Sequence, residues 1–419
     1  MEILFLCQRV PYPPDRGDRI TTHHVLRMLL GMGRVRVGCF LETPRDRQAL
    51  EALEKMGART AAFPLHPRLK KLLTLTWLPT KIPLTLPYFH SAGLEAQVDR
   101  WTAEGLDLAF AYSSSMGQYL LGRSIPFKVM QFAELDSDKW LQLSRKSSFP
   151  RSWIYRREAD LLLRFERSLA RAVDLSLVVS PLERDLFRER IPGVEPLVVE
   201  NGVDSDYFRP SPNPSREEAV LFTGVMNYPP NVQGVLRFAR QVWPQVRRAR
   251  PQARFFVVGS EPVRAVRALH GKEGIHVTGR VPDTRPWFDR SRAAVAPLWV
   301  ARGIQNKVLE AMAMALPVVA TPAAFGGIDA EPGRHLLVAE EPDRFARLVV
   351  RLLARPEEAA RIGAAAREQV RRRYSWEHIL GGLEAILRER ISSTSPGPAN
   401  PAPGASTPGS APGAGGPGE

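Results

Sequence analysis

Residues 301–321, ARGIQNKVLEAMAMALPVVAT, constrain the fold more than any other part of this 419-residue chain. Helical spacing starts near Ile304 and runs to Leu316. Pro317 has no amide hydrogen, and its ring clashes with the preceding turn, so the helix is expected to stop there. Residues 311–315 are good helix formers, and the small ones let a helix lie close to a sheet. Residues 318–320, Val-Val-Ala, then read as a short strand buried on both faces, the habit of a parallel sheet. Polar groups gather before the helix and in its first turns: Arg302, Gln305, Asn306, Lys307 and Glu310. Lys307 and Glu310 are three apart and share a face. Free amides and added positive charge at a helix N-terminus suit a phosphate group. A carboxylate one turn further in can accept hydrogen bonds from sugar hydroxyls.

The same strand, turn and helix alternation recurs along the chain. Strands are predicted at 3–7, 35–41, 59–64, 106–112, 127–132, 175–180 and 196–200. A second series falls at 219–223, 253–259, 275–278, 293–298, 318–320 and 335–338. Helices are predicted between most of them, the longest over 153–172 and 356–372. Alternation of this kind implies parallel sheets with helices on their faces, and the length implies two domains. No repeat at solenoid spacing is present.

The formal net charge is +14. It points to an anionic partner, such as a sugar nucleotide, a lipid phosphate or an acidic membrane face. Compositional bias explains it equally well, since Arg outnumbers Lys 49 to 9. Nucleic acid is disfavoured because no recognisable binding module is present. No apolar run is long enough to span a bilayer. The start, MEILFLCQRV, lacks a basic leader, so a cytoplasmic location is expected, with peripheral contact at the inner face of the plasma membrane as an extension. Cys7 and Cys39 lie in apolar strands and are expected to be buried, reduced thiols.

Candidate site residues follow from the turns. Gly17 stands in the loop after the first strand, where a doubly wound domain faces phosphate. No G-x-G-x-x-G is present, which disfavours a dehydrogenase-type site. His23 and His24 are adjacent on a helix and point about 100° apart, so they are not expected to share a metal. No metal ligand cluster is expected, and no cofactor. Residues 67–89, PRLKKLLTLTWLPTKIPLTLPYF, mix cations with apolar and aromatic groups, as an interfacial membrane patch does. The favoured alternative is an irregular piece with its leucines inward, because Pro79, Pro83 and Pro87 break any continuous helix. Asp136 and Asp138 follow the strand 127–132, either facing the chemistry at the strand's end or capping the next helix. Residues 392–419 hold seven Pro and seven Gly and are expected to be a disordered tail.

Glu310 followed by AMAMALPVVAT resembles the signature of the family 4 glycosyltransferases, a retaining group with the two-domain GT-B fold. Their pattern has a first glutamate eight positions earlier, and here that position is Arg302. Asn201-Gly202-Val203-Asp204 resembles the family's crossing between domains, and Tyr374-Ser375-Trp376 its final helix. The runs PYPPDRGDR, LDSDKW and PLW resemble a narrower group, sugar transferases associated with exosortase (PEP-CTERM) exopolysaccharide systems. The resemblance implies an α/β GT-B fold, two Rossmann-like domains with parallel sheets facing a central cleft. It divides the chain into an acceptor-side domain, 1–200, a nucleotide-sugar domain, 201–375, a returning helix, 376–391, and the tail. It implies a nucleoside diphosphate sugar donor, a glycan or lipid-linked acceptor, and retaining hexosyl transfer. Donor contacts are implied for Gly17, Gly224, Asn231, Arg280, Val281, Arg302, Gly303, Gln305, Lys307 and Glu310. Catalytic roles are implied for Glu310, Lys307, Asp136 and Asp138. Many members place Arg and Lys after the strand 219–223; this chain has Asn227 and Asn231, so Arg302 and Lys307 are expected to supply the charge. The rival expectations are a sugar-nucleotide epimerase on the same fold and a non-catalytic nucleotide-sugar-binding subunit.

Overall fold

In the computed structural model, residues 1–14, 17–299, 301, 304–394 and 418 are described. Thirteen strands build two sheets. The first holds β1 (Glu2–Leu6), β2 (Arg34–Leu41), β3 (Arg59–Pro64), β4 (Leu108–Tyr112), β5 (Phe127–Ala133), β6 (Leu175–Val178) and β7 (Leu197–Val198), in the order β3-β2-β1-β4-β5-β6-β7. The second holds β8 (Ala219–Thr223), β9 (Arg254–Val258), β10 (Ile275–Gly279), β11 (Ala293–Ala296), β12 (Val318–Ala320) and β13 (Leu337–Val338), in the order β10-β9-β8-β11-β12-β13. Every pairing is parallel. These are two Rossmann-like domains. In each, the strand order reverses beside the first strand, between β1 and β4 and between β8 and β11. A crevice opens at such a switch point, outside the carboxyl ends of the strands.

The strands form where unbroken apolar runs can be covered on both faces. Ile3, Leu4, Phe5 and Leu6 are buried, as are all five residues of β8. Cys7 and Cys39 are buried free thiols. The second domain has one core, into which the helix Asn306–Ala313 sends Val308, Leu309, Ala311, Met312 and Ala313.

The crossing between domains lies against the returning chain end. The Val203 amide donates to the Tyr374 carbonyl at 2.8 Å. A Cβ on Gly202 would lie 2.7 Å from the Trp376 ring, so only glycine permits that approach. Trp376 opens the last helix, Trp376–Thr394, and joins Leu380, Leu383 and Leu387 in the core of the first domain. It stacks on His24 at 4.7 Å. Burial and the neighbouring His23 lower the His24 pKa to about 4. His24 is therefore neutral near pH 7, and its 3.9 Å contact with Asp204 is not an ion pair there.

Three expectations are corrected. The helix expected over 304–316 spans only Asn306–Ala313. Ala315 turns left-handed, at φ +50°, before Pro317 is reached. Arg367 holds the Ala313 carbonyl and Arg216 holds the Ala315 carbonyl at 3.0 Å, so tertiary contacts end the helix. The last helix continues to Thr394, beyond the boundary expected near 391. The rest of the expected tail, apart from Gly418, lies outside the described residues. The third concerns residues 67–89. They form a helix, Pro67–Thr74, a 3-10 turn, Leu75–Trp77, and a short helix, Thr85–Tyr88. The segment is Pro-broken, as expected, but Leu69, Leu72, Leu73 and Leu75 face solvent instead of the core. Its inward face is occupied by Thr74, Pro83, the Tyr88 and Phe89 rings and main-chain groups bound to other helices.

Candidate functional site

The switch point of the second domain is built by two glycines. Gly224 follows β8 at φ +155°, and Gly259 follows β9 at φ +153°. A Cβ on Gly259 would meet the Gly224 carbonyl oxygen at 1.7 Å. A Cβ on Gly224 would meet the Asn231 amide nitrogen at 2.7 Å and Lys307 Cε at 3.5 Å. Main chain and site side chains thus close on one point.

Asn231 lies in the first turn of the helix Pro229–Arg237 and is buried. Its amide donates to the Val225 carbonyl at 2.9 Å, which orients its oxygen toward Lys307. Lys307 Nζ donates to that oxygen at 2.9 Å and sits 5.4 Å from the centre of the Phe222 ring. Burial lowers the Lys307 pKa to about 8, although Glu310 opposes the shift. Burial likewise raises the Glu310 carboxyl to about 7, opposed by Lys307. The Glu310 carboxylate has no hydrogen-bond partner among the described residues. The helix Asn306–Ala313 begins at Gln305 with no side-chain cap and no acidic residue in its first turn. Among the described residues no carboxylate caps this helix start, and the Lys307 side chain lies beside the Gly224 turn, an arrangement that favours an anion.

On the expectation of a nucleotide-sugar donor, Glu310→Gln should lower its turnover roughly 10- to 100-fold, the scale of one charge-assisted hydrogen bond. Steady-state rates with the folded variant check this. Turnover within a factor of two of the parent chain would remove Glu310 from the site.

A cluster not foreseen from the sequence stands nearby. Arg285 grips Asp283 through Nε at 2.9 Å and Nη2 at 2.6 Å, and its guanidinium lies 4.0 Å from the centre of the Tyr207 ring. Burial raises the Tyr207 pKa, with smaller contributions from Asp283 and Glu310, which places Glu310 in its electrostatic reach. Arg280 is exposed and Val281 part-buried just after β10. Arg302 and Gly303 lie outside the described residues.

The first domain has its own hollow at the switch point, lined by Cys7, Gln8, Arg9, Asp18, Thr22 and Tyr112. Arg9 pairs with Asp18 at 2.7 Å and with Glu42 at 2.9 Å. Gln8 donates to the Ser113 and Ser115 hydroxyls, each at 2.8 Å. Ser113, just after β4, and Ala133, the last residue of β5, have φ of +74° and +60°. Non-glycine residues held there store strain of the kind that collects at functional sites. Sequence patterning signals neither this network nor the strain. Gly17 opens the helix Gly17–Met32; its φ is not left-handed and a Cβ there would meet nothing within 4 Å. Nothing within the described chain requires a glycine at this position.

Asp136 accepts from Ser114 Oγ at 2.9 Å, and burial raises its pKa. Behind it Glu166 is fully buried against the Ser137 hydroxyl; burial raises its pKa to about 8, with Asp136 adding to the rise. Asp138 is held by Gln142 at 2.6 Å and by Arg190 at 3.5 Å. Asp136 and Asp138 both lie in the first turn of the helix Asp136–Arg145, and neither bonds to Lys307 or Glu310. The structure thus brings Gly224, Asn231, Lys307 and Glu310 together, and leaves the two aspartates in a separate first-domain network.

Residues 217–355 match the family model for glycosyl transferases group 1. An uncharacterized 44.6 kDa protein in the cps region of Klebsiella pneumoniae is 24% identical over 139 residues, which is 31% of this chain and 36% of that protein. The match thus spans about a third of the curated relative's length. Sucrose-phosphate synthase from Thermosynechococcus elongatus superposes with a TM-score of 0.62 at 18% identity, covering 94% of this chain and 99% of that one. HepE of Anabaena, solved in complex with UDP, superposes with a TM-score of 0.63 at 17% identity, covering 94% and 100%. It has also been solved with UDP-glucose. The superposed 94% of the chain therefore has the GT-B fold, two Rossmann-like domains, and residues 217–355 carry the group 1 glycosyltransferase match.

Proposed function

We propose that this chain is a retaining glycosyltransferase that moves a hexose from a nucleoside diphosphate sugar to an acceptor hydroxyl. The observation that carries the reading is Lys307, drawn by Asn231 to the Gly224 turn at the uncapped start of the helix that also bears Glu310. The group 1 match over the same domain supports it.

In this reading Lys307 and the first-turn amides hold the diphosphate. Glu310 accepts from sugar hydroxyls of the donor, which accounts for a part-buried carboxylate with no protein partner. Arg302, four residues before this helix in the sequence, adds a second cation. Retention follows a front-side path, in which the leaving diphosphate takes the acceptor proton. Lys307 then stabilises charge that grows on the departing phosphate, and stabilisation that grows with that charge lowers the barrier. The open space over Gly17 lets the diphosphate approach the first domain. Gln8, Ser113 and Ser115 line the acceptor side. The narrower reading, synthesis of an exopolysaccharide or other cell-surface glycan, rests on the resemblance of PYPPDRGDR, LDSDKW and PLW to exosortase-associated transferases.

The donor is found by a thermal-shift screen of nucleoside diphosphate sugars, since a ligand that binds only the folded state raises its stability by mass action. The expected result is a rise with one donor, and sugar transfer once a hydroxyl acceptor is added. Conversion of the sugar with no acceptor would make the chain an epimerase. Binding without transfer to any acceptor would make it a non-catalytic subunit.

Nucleoside diphosphate affinity should depend on pH through Lys307. Its pKa near 8 in the empty site means that it is charged below pH 8 and neutral above. Diphosphate favours the charged form, so affinity is full below pH 8 and falls as pH rises. Calorimetry at pH 7.5 and pH 9.5 should show a loss on the order of tenfold. Lys307→Arg, which stays charged throughout, should flatten the profile. An equal slope in both proteins would assign the titration elsewhere.

A further inference from the structure

The stretch Pro67–Ile82 is built inside out. Its polar contacts point into the protein. Lys70 Nζ donates to the His90 carbonyl at 2.7 Å. Buried Glu158 accepts from the Leu84 amide at 2.6 Å and from the Thr85 amide at 2.8 Å. Arg157 donates to the Trp77, Thr80 and Ile82 carbonyls. With its main chain pinned from below, the segment presents its apolar side chains to solvent. Leu69, Leu72, Leu73, Leu75, Trp77 and Ile82 are all exposed, Leu72 at 67%.

A second exposed apolar group lies alongside. Arg157 and Glu158 belong to the helix Arg151–Ala172, whose residue Trp153 stands one turn before Arg157 on the same face. Trp153 is 55% exposed, and Phe149, in the turn just before this helix, is 80% exposed. Scattered surface apolar residues are ordinary, but eight exposed large apolar side chains on two segments joined through Arg157 mark a contact with another phase or molecule.

The charge within these two segments has one sign. Residues 67–89 and 139–157 contain no Asp or Glu, but four and six cations respectively. Arg68, Lys71, Lys81, Arg145, Lys146 and Arg151 have no carboxylate partner among the described residues. Apolar groups flanked by unpaired cations match an anionic bilayer surface, where acyl chains take the leucines and headgroups take the cations. A hydrophobic protein partner accounts for the leucines but not for the uniform charge. Among the described residues no helix is long and apolar enough to cross a membrane, so the contact is peripheral.

We propose that the exposed faces of Pro67–Ile82 and of the turn around Phe149 dock the first domain onto anionic lipid bilayers. The proposal does not depend on the transferase reading. It does explain how an enzyme without a spanning helix would meet an acceptor carried by a lipid.

The test is sedimentation of the full chain with vesicles of phosphatidylcholine alone and with vesicles containing about 30% phosphatidylglycerol, a composition of the anionic kind that attracts polybasic surfaces. Binding to the anionic vesicles only is expected, weakening as salt rises. A Leu72→Ser, Leu73→Ser and Phe149→Ser variant should lower the bound fraction at least roughly tenfold. Lys71→Glu with Lys146→Glu should lower it by about tenfold. Unchanged melting and donor binding would show that both variants are intact, since none of these residues belongs to the donor site. Failure of the parent chain to sediment with anionic vesicles overturns the proposal. So does a lipid-free dimer that the serine variant converts to a monomer, which would make the patch an interface between two copies.

Discussion

Lys307→Ala is expected to lower the second-order rate constant for sugar transfer by roughly 100- to 1000-fold, the cost of removing one charged stabiliser of a developing anion from a part-buried site. The reason lies in how the lysine is held. Phe222 lies beneath its ammonium and Asn231 accepts from it, so it is positioned before any ligand arrives. A preorganised cation loses little on reorganisation and gains most when the leaving diphosphate gathers charge. Alanine also leaves a gap over Phe222, so Lys307→Met serves as a control for packing, while both substitutions leave the Asn231 oxygen without its donor. Both variants should bind the nucleoside as the parent does and the nucleoside diphosphate more weakly. A rate within threefold of the parent would reduce Lys307 to a packing group over Phe222.

The fold was legible because each strand is a short apolar run and each run is followed by helical spacing. Residues 59–64 and 219–223 fall on β3 and β8 without adjustment. Other errors have local causes. The helix Ala92–Ala103 was not foreseen, although Ser91 caps it and Leu94, Val98 and Trp101 fall on one buried face. That signal was in the sequence. The early stop of the helix Asn306–Ala313 was not, because it depends on Arg216 and Arg367 reaching carbonyls from distant helices and loops. The outward leucines of 67–89 were also hidden. Their direction is fixed by Arg157 and buried Glu158, more than seventy residues away in sequence from the groups they hold.

The candidate site divides in the same way. Gly224, Asn231, Lys307 and Glu310 could be found because a strand end, a helix start and residue types coincide within short windows. Tyr207, Asp283 and Arg285 could not, since the guanidinium meets the ring only after the domain has folded. Gln8, Ser113 and Ser115 are likewise joined only by the pairing of β1 with β4. Asp136 and Asp138 follow a strand as expected, and what could not be read is their partners, Ser114, Gln142 and Arg190, all in the first domain.

Gly259→Ala is expected to destabilise the chain by roughly 3–5 kcal/mol, combining overpacking with a left-handed residue that carries a Cβ. Its melting temperature should fall by about ten degrees or more. The added atom would lie 1.7 Å from the Gly224 carbonyl oxygen and 2.8 Å from its carbon. Both are main-chain atoms, so no side chain can swing away. Relief requires β8 and β9 to part at their carboxyl ends, where the Gly224 amide donates to the Val258 carbonyl at 3.1 Å. Any shift of Gly224 carries Asn231 and Lys307 with it, because both pack on its open face. Nucleoside diphosphate binding should therefore weaken even at temperatures where the variant remains folded. Gly271→Ala separates the two causes. Gly271 also has positive φ, +79°, but a Cβ there meets nothing within 4 Å. It should cost only the conformational part, on the order of 1 kcal/mol, and leave binding unchanged. Scanning calorimetry and nucleotide titration on the three proteins decide the matter. If Gly259→Ala melts and binds like Gly271→Ala, the close approach of β8 and β9 does not set the geometry of the site.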